Sequence, residues 1–309
     1  MGIMKIYGKG LAASVKSLRM IIYLWLVNLA FALVLVAPLY LLVQKDFGHS
    51  LAGGRLRVGD PAWLGEMALK FQDIPAALLG GILLPVLLFL VLYIFLNGGI
   101  LGRLAALPEH KITLAGFFAD CGKYFWRFFR VFLAALVGYL LLFGFVFRLV
   151  SAVFKPWIES ASNELPSIIA SNLRTLVSVL IFTIVQMYFD YVKVSLVAED
   201  SRKVLKALFS GLGFVLKRFF RAWFLYLLVG VLYLVLTVLY VSVNGLFPRY
   251  GAPWFAAAVF WAQIYILLRI GIKVLFFATE LTFYRGQKYR VPTEQPVAAA
   301  TEPAGQPAI

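Results

Sequence analysis

A chain of 309 residues that is 62% hydrophobic and 14% charged, with a mean hydropathy of +0.90, departs from the roughly 25% charge of a soluble domain. Its net charge of +15 is carried by residues that flank apolar runs, which fits anionic lipid headgroups and argues against nucleic acid as a partner. One cysteine, Cys121, and two distant histidines, His49 and His110, exclude an intrachain disulfide and offer no metal-ligand pattern, so no metal or other cofactor is expected.

Crossing a hydrocarbon core takes about 20 residues of helix. Six apolar runs reach that length, at 20–43, 76–97, 130–149, 174–198, 222–243 and 254–279. They predict an all-α polytopic membrane protein with a single transmembrane domain over residues 1–290. The first run is too long for a signal-peptide core, and no small-x-small cleavage site follows "LVAPLYLLVQ", so it reads as a retained span. Beyond it, Asp60 and Pro61 open "DPAWLGEMALKF" as N-cap and first helical residue, the start of a short surface helix. The second run ends in Asn97 followed by "GGILGR", whose small residues allow another helix to approach closely.

Before the third run stands Arg127-Phe128-Phe129-Arg130, and the pattern recurs before the fifth as Arg218-Phe219-Phe220-Arg221. Each reads as the end of a basic amphipathic interfacial helix preceding an odd-numbered span. In the second copy, Val204, Leu208, Leu212, Val215 and Phe219 share one face, with Arg202, Lys206, Ser210, Lys217 and Arg221 opposite. The N-terminal "GKGLAASVKSLRM" resembles a shorter third copy. Such helices would hold anionic lipids at about 1 kcal/mol per basic residue; ordinary positive-inside flanking explains the same residues equally well.

The fourth and sixth runs carry charge before they end. Gln186, Asp190 and Lys193 share a face of the fourth, and Tyr265, Arg269 and Lys273 a face of the sixth, with Glu280 at its boundary. An ionised group at a helix centre costs about 2.5–3.5 kcal/mol, so these side chains should meet each other, backbone or water inside the bundle. With the two spans ending near 198 and 279, Asp190 and Arg269 fall about 12–15 Å from the same surface at 1.5 Å per residue. That equality predicts an Asp190–Arg269 ion pair, with Lys193 and Lys273 near Glu280 or Glu199, or reaching water. From Val291 the composition turns to Pro, Ala, Glu and Gln, predicting a disordered cytoplasmic tail over 291–309.

Lys and Arg number eighteen on the N-terminal side of the predicted spans and eight on the other, so both termini are expected in the cytoplasm of an inner-membrane protein. Catalytic signatures are missing. No phosphate loop ends in Gly-Lys-Ser or Gly-Lys-Thr, and there is neither His-Glu-x-x-His nor Gly-x-Ser-x-Gly; a non-enzymatic protein is expected.

Two stretches carry a resemblance. In "FDYVKVSLVAEDSRKVLKALFSGLGFVLKRF", residues 189–219, an Asp-Tyr-x-Lys run leads into an acidic-then-basic loop. In "AQIYILLRIGIKVLFFATELTFYRGQ", residues 262–287, a Tyr-Ile-x-x-Arg run closes the last span. Both resemble segments of a group of uncharacterised six-span bacterial inner-membrane proteins, more distantly similar to the membrane domain beside some glycerophosphodiester phosphodiesterases. The resemblance covers the second half of the chain, and the first half by topology alone. It implies a six-span helical domain with Asp190, Lys193 and Arg269 at recurrent polar positions. It does not imply phosphodiesterase activity, since a catalytic barrel needs about 250 residues that no loop here supplies.

The polar network either only aligns the three even-numbered spans, with no substrate, or serves a function, of which two remain open. Three cations against one deep carboxylate suit a pocket, built around Asp190, Lys193, Arg269 and Lys273 with Gln186, Asn97 and Glu280, that binds or helps move a lipid-like anionic molecule. Alternatively, the basic helices ending at Arg127, Arg130, Arg218 and Arg221 hold membrane-protein partners, making the chain an accessory or assembly subunit.

Overall fold

The computed structural model describes residues 2–47, 76–107, 113–160, 163–248 and 252–288. The elements in chain order are α1 (Ile3–Lys16), α2 (Leu18–Phe47), α3 (Ala76–Ala106), α4 (Leu114–Leu141), α5 (Phe147–Glu159), α6 (Glu164–Ala198), α7 (Val204–Lys217), α8 (Phe219–Leu246) and α9 (Ala252–Lys288). A π-helical turn, Leu142–Val146, joins α4 to α5 without interrupting the rod. Among the described residues there is no strand, and six helical segments are long and apolar enough to cross a membrane. Large apolar side chains stand exposed along them, among them Phe145 at 67%, Val235 at 58% and Phe260 at 69%. Monomeric soluble proteins rarely expose contiguous apolar patches beyond a few hundred Å². The chain is therefore an all-α, multi-pass membrane protein. The surface helix expected at "DPAWLGEMALKF" and the tail over 291–309 lie outside the described residues.

Each predicted span falls inside an observed helix, but the helices run on. The last continues to Lys288 instead of ending near 279. The basic stretch before the third span is no separate helix. Thr113 caps α4 by accepting a hydrogen bond from the Gly116 amide at 3.2 Å, and from there one rod runs to Glu159. Nothing breaks it, because "RFFRVFLAAL" offers no proline, glycine or capping residue at the point where a separate helix would have to end. The first and fifth spans do have detached partners. Ser17 separates α1 from α2, and Arg218, off helical geometry at φ −132°, separates α7 from α8.

Fully buried side chains concentrate toward the end of the bundle marked by the α6 C-terminus: Ile94 to Leu104 on α3, Phe117 to Phe128 on α4, Met187 to Val197 on α6 and Ile270 to Tyr284 on α9. The small residues after Asn97 serve as expected, since Gly99 lies against Cys121 and Phe117 and Gly102 against Asp120. Arg103 ties the same pair of helices by an ion pair to Asp120. On α7 the buried face is Val204, Ala207, Gly211, Phe214 and Val215. Leu212, placed on that face by the sequence, is instead 42% exposed. The smaller Ala207 and Gly211 let α7 close onto α6 at Val192, and the helix rotates toward them.

The α6–α7 junction is built tightly. The Asp200 amide donates to the Val197 carbonyl and the Ser201 amide to the Leu196 carbonyl, a Schellman ending with Asp200 at φ 44°. Glycine is the usual residue there, and a side chain in the left-handed region costs about 1–2 kcal/mol. Asp200 compensates by accepting from Arg127 at 2.6 Å and pairing with Lys123 at 3.1 Å, both on α4. Partial burial raises the Asp200 carboxyl, but the bonds from Arg127 and Lys123 outweigh it and leave its pKa below the ordinary value. Glu199 is held low in the same way by Lys288 and Tyr284, against the upward pull of burial.

A folded-state pKa below the unfolded one gives stability that is present above the unfolded value, about 3.9 for Asp, and lost as pH falls through the folded value. Asp200→Asn keeps a residue that tolerates the left-handed turn while removing the charge. Its melting temperature in detergent should be lower than wild type at pH 7, by no more than about 1 kcal/mol equivalent for so exposed a pair. That gap should close as pH falls below about 4. A gap that persists unchanged at the lowest pH would remove charge as the cause.

Candidate functional site

The polar stripes of α6 and α9 meet inside the bundle. Gln186, Asp190 and Lys193 on α6, Arg269 and Lys273 on α9 and Asn97 on α3 all line one cavity of about 410 Å³. Leu24, Ile100, Phe276 and Phe277 supply apolar wall. Its size falls within the usual range for a small-molecule site, about 300–1,000 Å³, while ten of its eighteen lining side chains carry polar groups, more than such sites usually hold.

Asp190, 7% exposed, is the hub. Lys193 Nζ donates to its Oδ1 at 2.7 Å, and Gln186 Nε2 approaches its Oδ2 at 3.5 Å. The Tyr139 hydroxyl on α4 in turn donates to Gln186 Oε1. The Lys273 ammonium sits 3.7 Å from the centroid of the Tyr93 ring on α3, a cation–π contact.

The expected ion pair between Asp190 and Arg269 does not form; among the described residues, Asp190 pairs with Lys193. The reason is register. Glu199, just past the end of α6, bonds Tyr284 and Lys288, so the ends of α6 and α9 align at 199 and 284–288. Taking α9 to end near 279 misplaced Arg269 by roughly five to nine residues, or ~8–14 Å at 1.5 Å per residue. Arg269 lies far deeper than Asp190, is exposed, and has no ion-pair partner among the described residues. Lys193 pairs with Asp190 and lies within electrostatic reach of Glu280, as expected, while Lys273 takes the Tyr93 ring instead of a glutamate.

Glu280 lies within electrostatic reach of Asp190 and Lys193. It is 2% exposed, does not line the cavity, and neither carboxyl oxygen has a hydrogen-bond partner among the described residues. Asn97 Oδ1 and the Tyr191 hydroxyl are also buried without partners. Tyr265 turns to α8, stacking on Tyr240 at 4.2 Å between centroids and meeting the Thr237 hydroxyl at 3.2 Å.

The four arginines read as interfacial divide. Arg127 is spent on Asp200, its side chain 11% exposed, and Arg218 reaches Gln287 at 3.3 Å and the Phe214 ring at 5.0 Å. Arg130 and Arg221 are exposed. Acidic and amide groups from other helices reach this end of the bundle and bind the first two, which flanking-charge counts along one chain segment do not register.

Sequence reasoning missed Asn28, Tyr93, Tyr226 and Tyr233, all on the cavity lining. A signal existed for two of them. Tyr93 precedes Asn97 by one helical turn, and Asn28 is the one amide in the apolar run 20–36.

The fold and site together define a multi-pass membrane protein with a cation-rich polar cavity, open where Tyr93, Tyr233 and Arg269 are exposed. Comparisons with protein-family models, with curated proteins and with solved structures returned no match. The site's chemistry therefore rests on its own residues. Three cationic side chains and one carboxylate line the space. With Asp190 neutralising Lys193, the charges of Lys273 and Arg269 remain for an anion.

Proposed function

We propose that this chain is a non-enzymatic integral protein of a bacterial inner membrane whose cavity binds, or helps move, an anionic lipid-like molecule. The observation that carries the reading is the 410 Å³ space lined by three cations, Lys193, Arg269 and Lys273, and by a single carboxylate, Asp190. Cationic groups held within a membrane span are expensive unless paired, and an anionic headgroup supplies the missing partner. The eighteen-to-eight distribution of basic residues favours cytoplasmic termini, which puts the Glu199 and Lys288 end on the cytoplasmic side. The resemblance to six-span inner-membrane proteins belongs to the same proposal. So does the placing of Arg130, Arg221 and the exposed apolar edge of α7, Leu205, Phe209 and Leu216, at the headgroup boundary.

Native mass spectrometry of protein purified in mild detergent tests it. Wild type should retain one anionic lipid-like mass, and Lys273→Gln and Arg269→Gln should each reduce that fraction at least tenfold, about 1.4 kcal/mol. A stoichiometric protein partner with no retained lipid would support the accessory-subunit reading instead.

A further inference from the structure

The polar cavity has an apolar neighbour. Between α2 and α9 lies a second space of about 270 Å³, walled by Trp25, Leu29, Phe31, Leu35 and Ile266. Asn28, Phe89, Arg269 and Ile270 line both spaces, so the two adjoin across these side chains. The one polar pair on the far wall is already satisfied, Trp25 Nε1 donating to Gln263 Oε1 at 3.0 Å. Arg269, exposed and without an ion-pair partner among the described residues, stands where the polar space ends and the apolar one begins.

Resting on the anionic-ligand reading above, we infer that the ligand is a phosphate-monoester amphiphile with a single hydrocarbon chain. Its head lies among Lys193, Lys273 and Arg269, and its chain runs into the space between α2 and α9. Charge selects the head. The lining carries three cations and one carboxylate, a surplus of two, and a phosphate monoester brings about −1.5 to −2 at pH 7, whereas a carboxylate or phosphodiester brings one. Volume selects the chain. The apolar space holds about nine water volumes at roughly 30 Å³ each, and a methylene is close to a water in size, so it takes about nine methylenes, the better part of one chain. Contact selects the junction, because the guanidinium at the boundary can bond two phosphate oxygens at once while its stem lies along the chain.

Photolabelling with alkyl phosphates that carry a terminal diazirine, one of four carbons and one of twelve, tests this on the full-length protein in nanodiscs. The long probe should label residues 29–35 of α2 or the neighbourhood of Ile266, in a manner displaced by unlabelled dodecyl phosphate. Ala32→Trp fills the apolar space from an exposed position. It should cut that labelling at least tenfold while leaving displaceable labelling by the short probe unchanged. Lys273→Gln should remove both.

Displaceable labelling that maps elsewhere, or that ignores Ala32→Trp, overturns the chain's placement and leaves the anion site standing. Inorganic phosphate displacing the long probe as well as dodecyl phosphate does would make the ligand a free anion and overturn the inference. If neither probe labels displaceably, the inference and the proposed function fall together.

Discussion

Asp190→Ala is expected to destabilise the detergent-solubilised protein by about 3–5 kcal/mol, the usual cost of stranding one partner of a buried ion pair. Asp190 is 7% exposed, and its loss leaves Lys193, 20% exposed at the side chain, with no carboxylate within bonding distance among the described residues. Gln186 loses a contact at the same time. Asp190→Ala combined with Lys193→Met should recover most of the loss, because the cost lies in the unpaired ammonium and not in the missing attraction. Asp190→Ala with Arg269→Ala should be additive to within about 0.5 kcal/mol. A coupling above about 1 kcal/mol between Asp190 and Arg269 in that cycle would contradict the register of α6 against α9 described above.

Gly99 sets the second large effect. A Cβ built there meets Cys121 Sγ well inside contact and Phe117 Cε2 at 2.7 Å, and both side chains are fully buried. Gly99→Ala should cost about 1–3 kcal/mol by overpacking, and Gly99→Val, with two more methyl groups in the same space, should abolish recovery of folded protein. Gly122 on the partner helix faces open space, so Gly122→Ala should be neutral or stabilising by up to about 1 kcal/mol through helix propensity. Adding Cys121→Ala to Gly99→Ala should restore part of the loss. Recovery of Gly99→Val and thermal melts of the other three variants in one detergent decide this; equal behaviour of Gly99→Ala and Gly122→Ala would mean that α3 and α4 do not approach in this way.

The apolar runs announced all six spans, because a bilayer demands about 20 consecutive residues and leaves little room for disguise. The shared face of Gln186, Asp190 and Lys193 was legible for a similar reason: helical spacing is local. What the sequence hid was register between helices. The length of α9 beyond residue 279 depends on Tyr284 and Lys288 bonding Glu199, eighty-five and more positions earlier, and no local pattern reports that. Arg269 was thereby drawn to the wrong partner while still being assigned to the right cavity. The tyrosines went unread because aromatic residues at span ends are common, and only packing distinguishes Tyr93 under Lys273 from an ordinary interfacial ring. The contacts of Arg127 and Arg218 went unread in the same way, as their partners Asp200 and Gln287 come from other parts of the chain.

The proposed function requires an anionic headgroup against Lys273 inside the membrane domain. Solid-state NMR distance measurement between ¹⁵N-labelled lysine side chains and ³¹P, on protein extracted with its native lipids, addresses it directly. A long-lived nitrogen–phosphorus contact within hydrogen-bonding range is expected, one that disappears in Lys273→Gln and survives Lys206→Gln, a substitution at an exposed position of α7. Contacts that are unchanged by Lys273→Gln and lost with the surface lysines would contradict it.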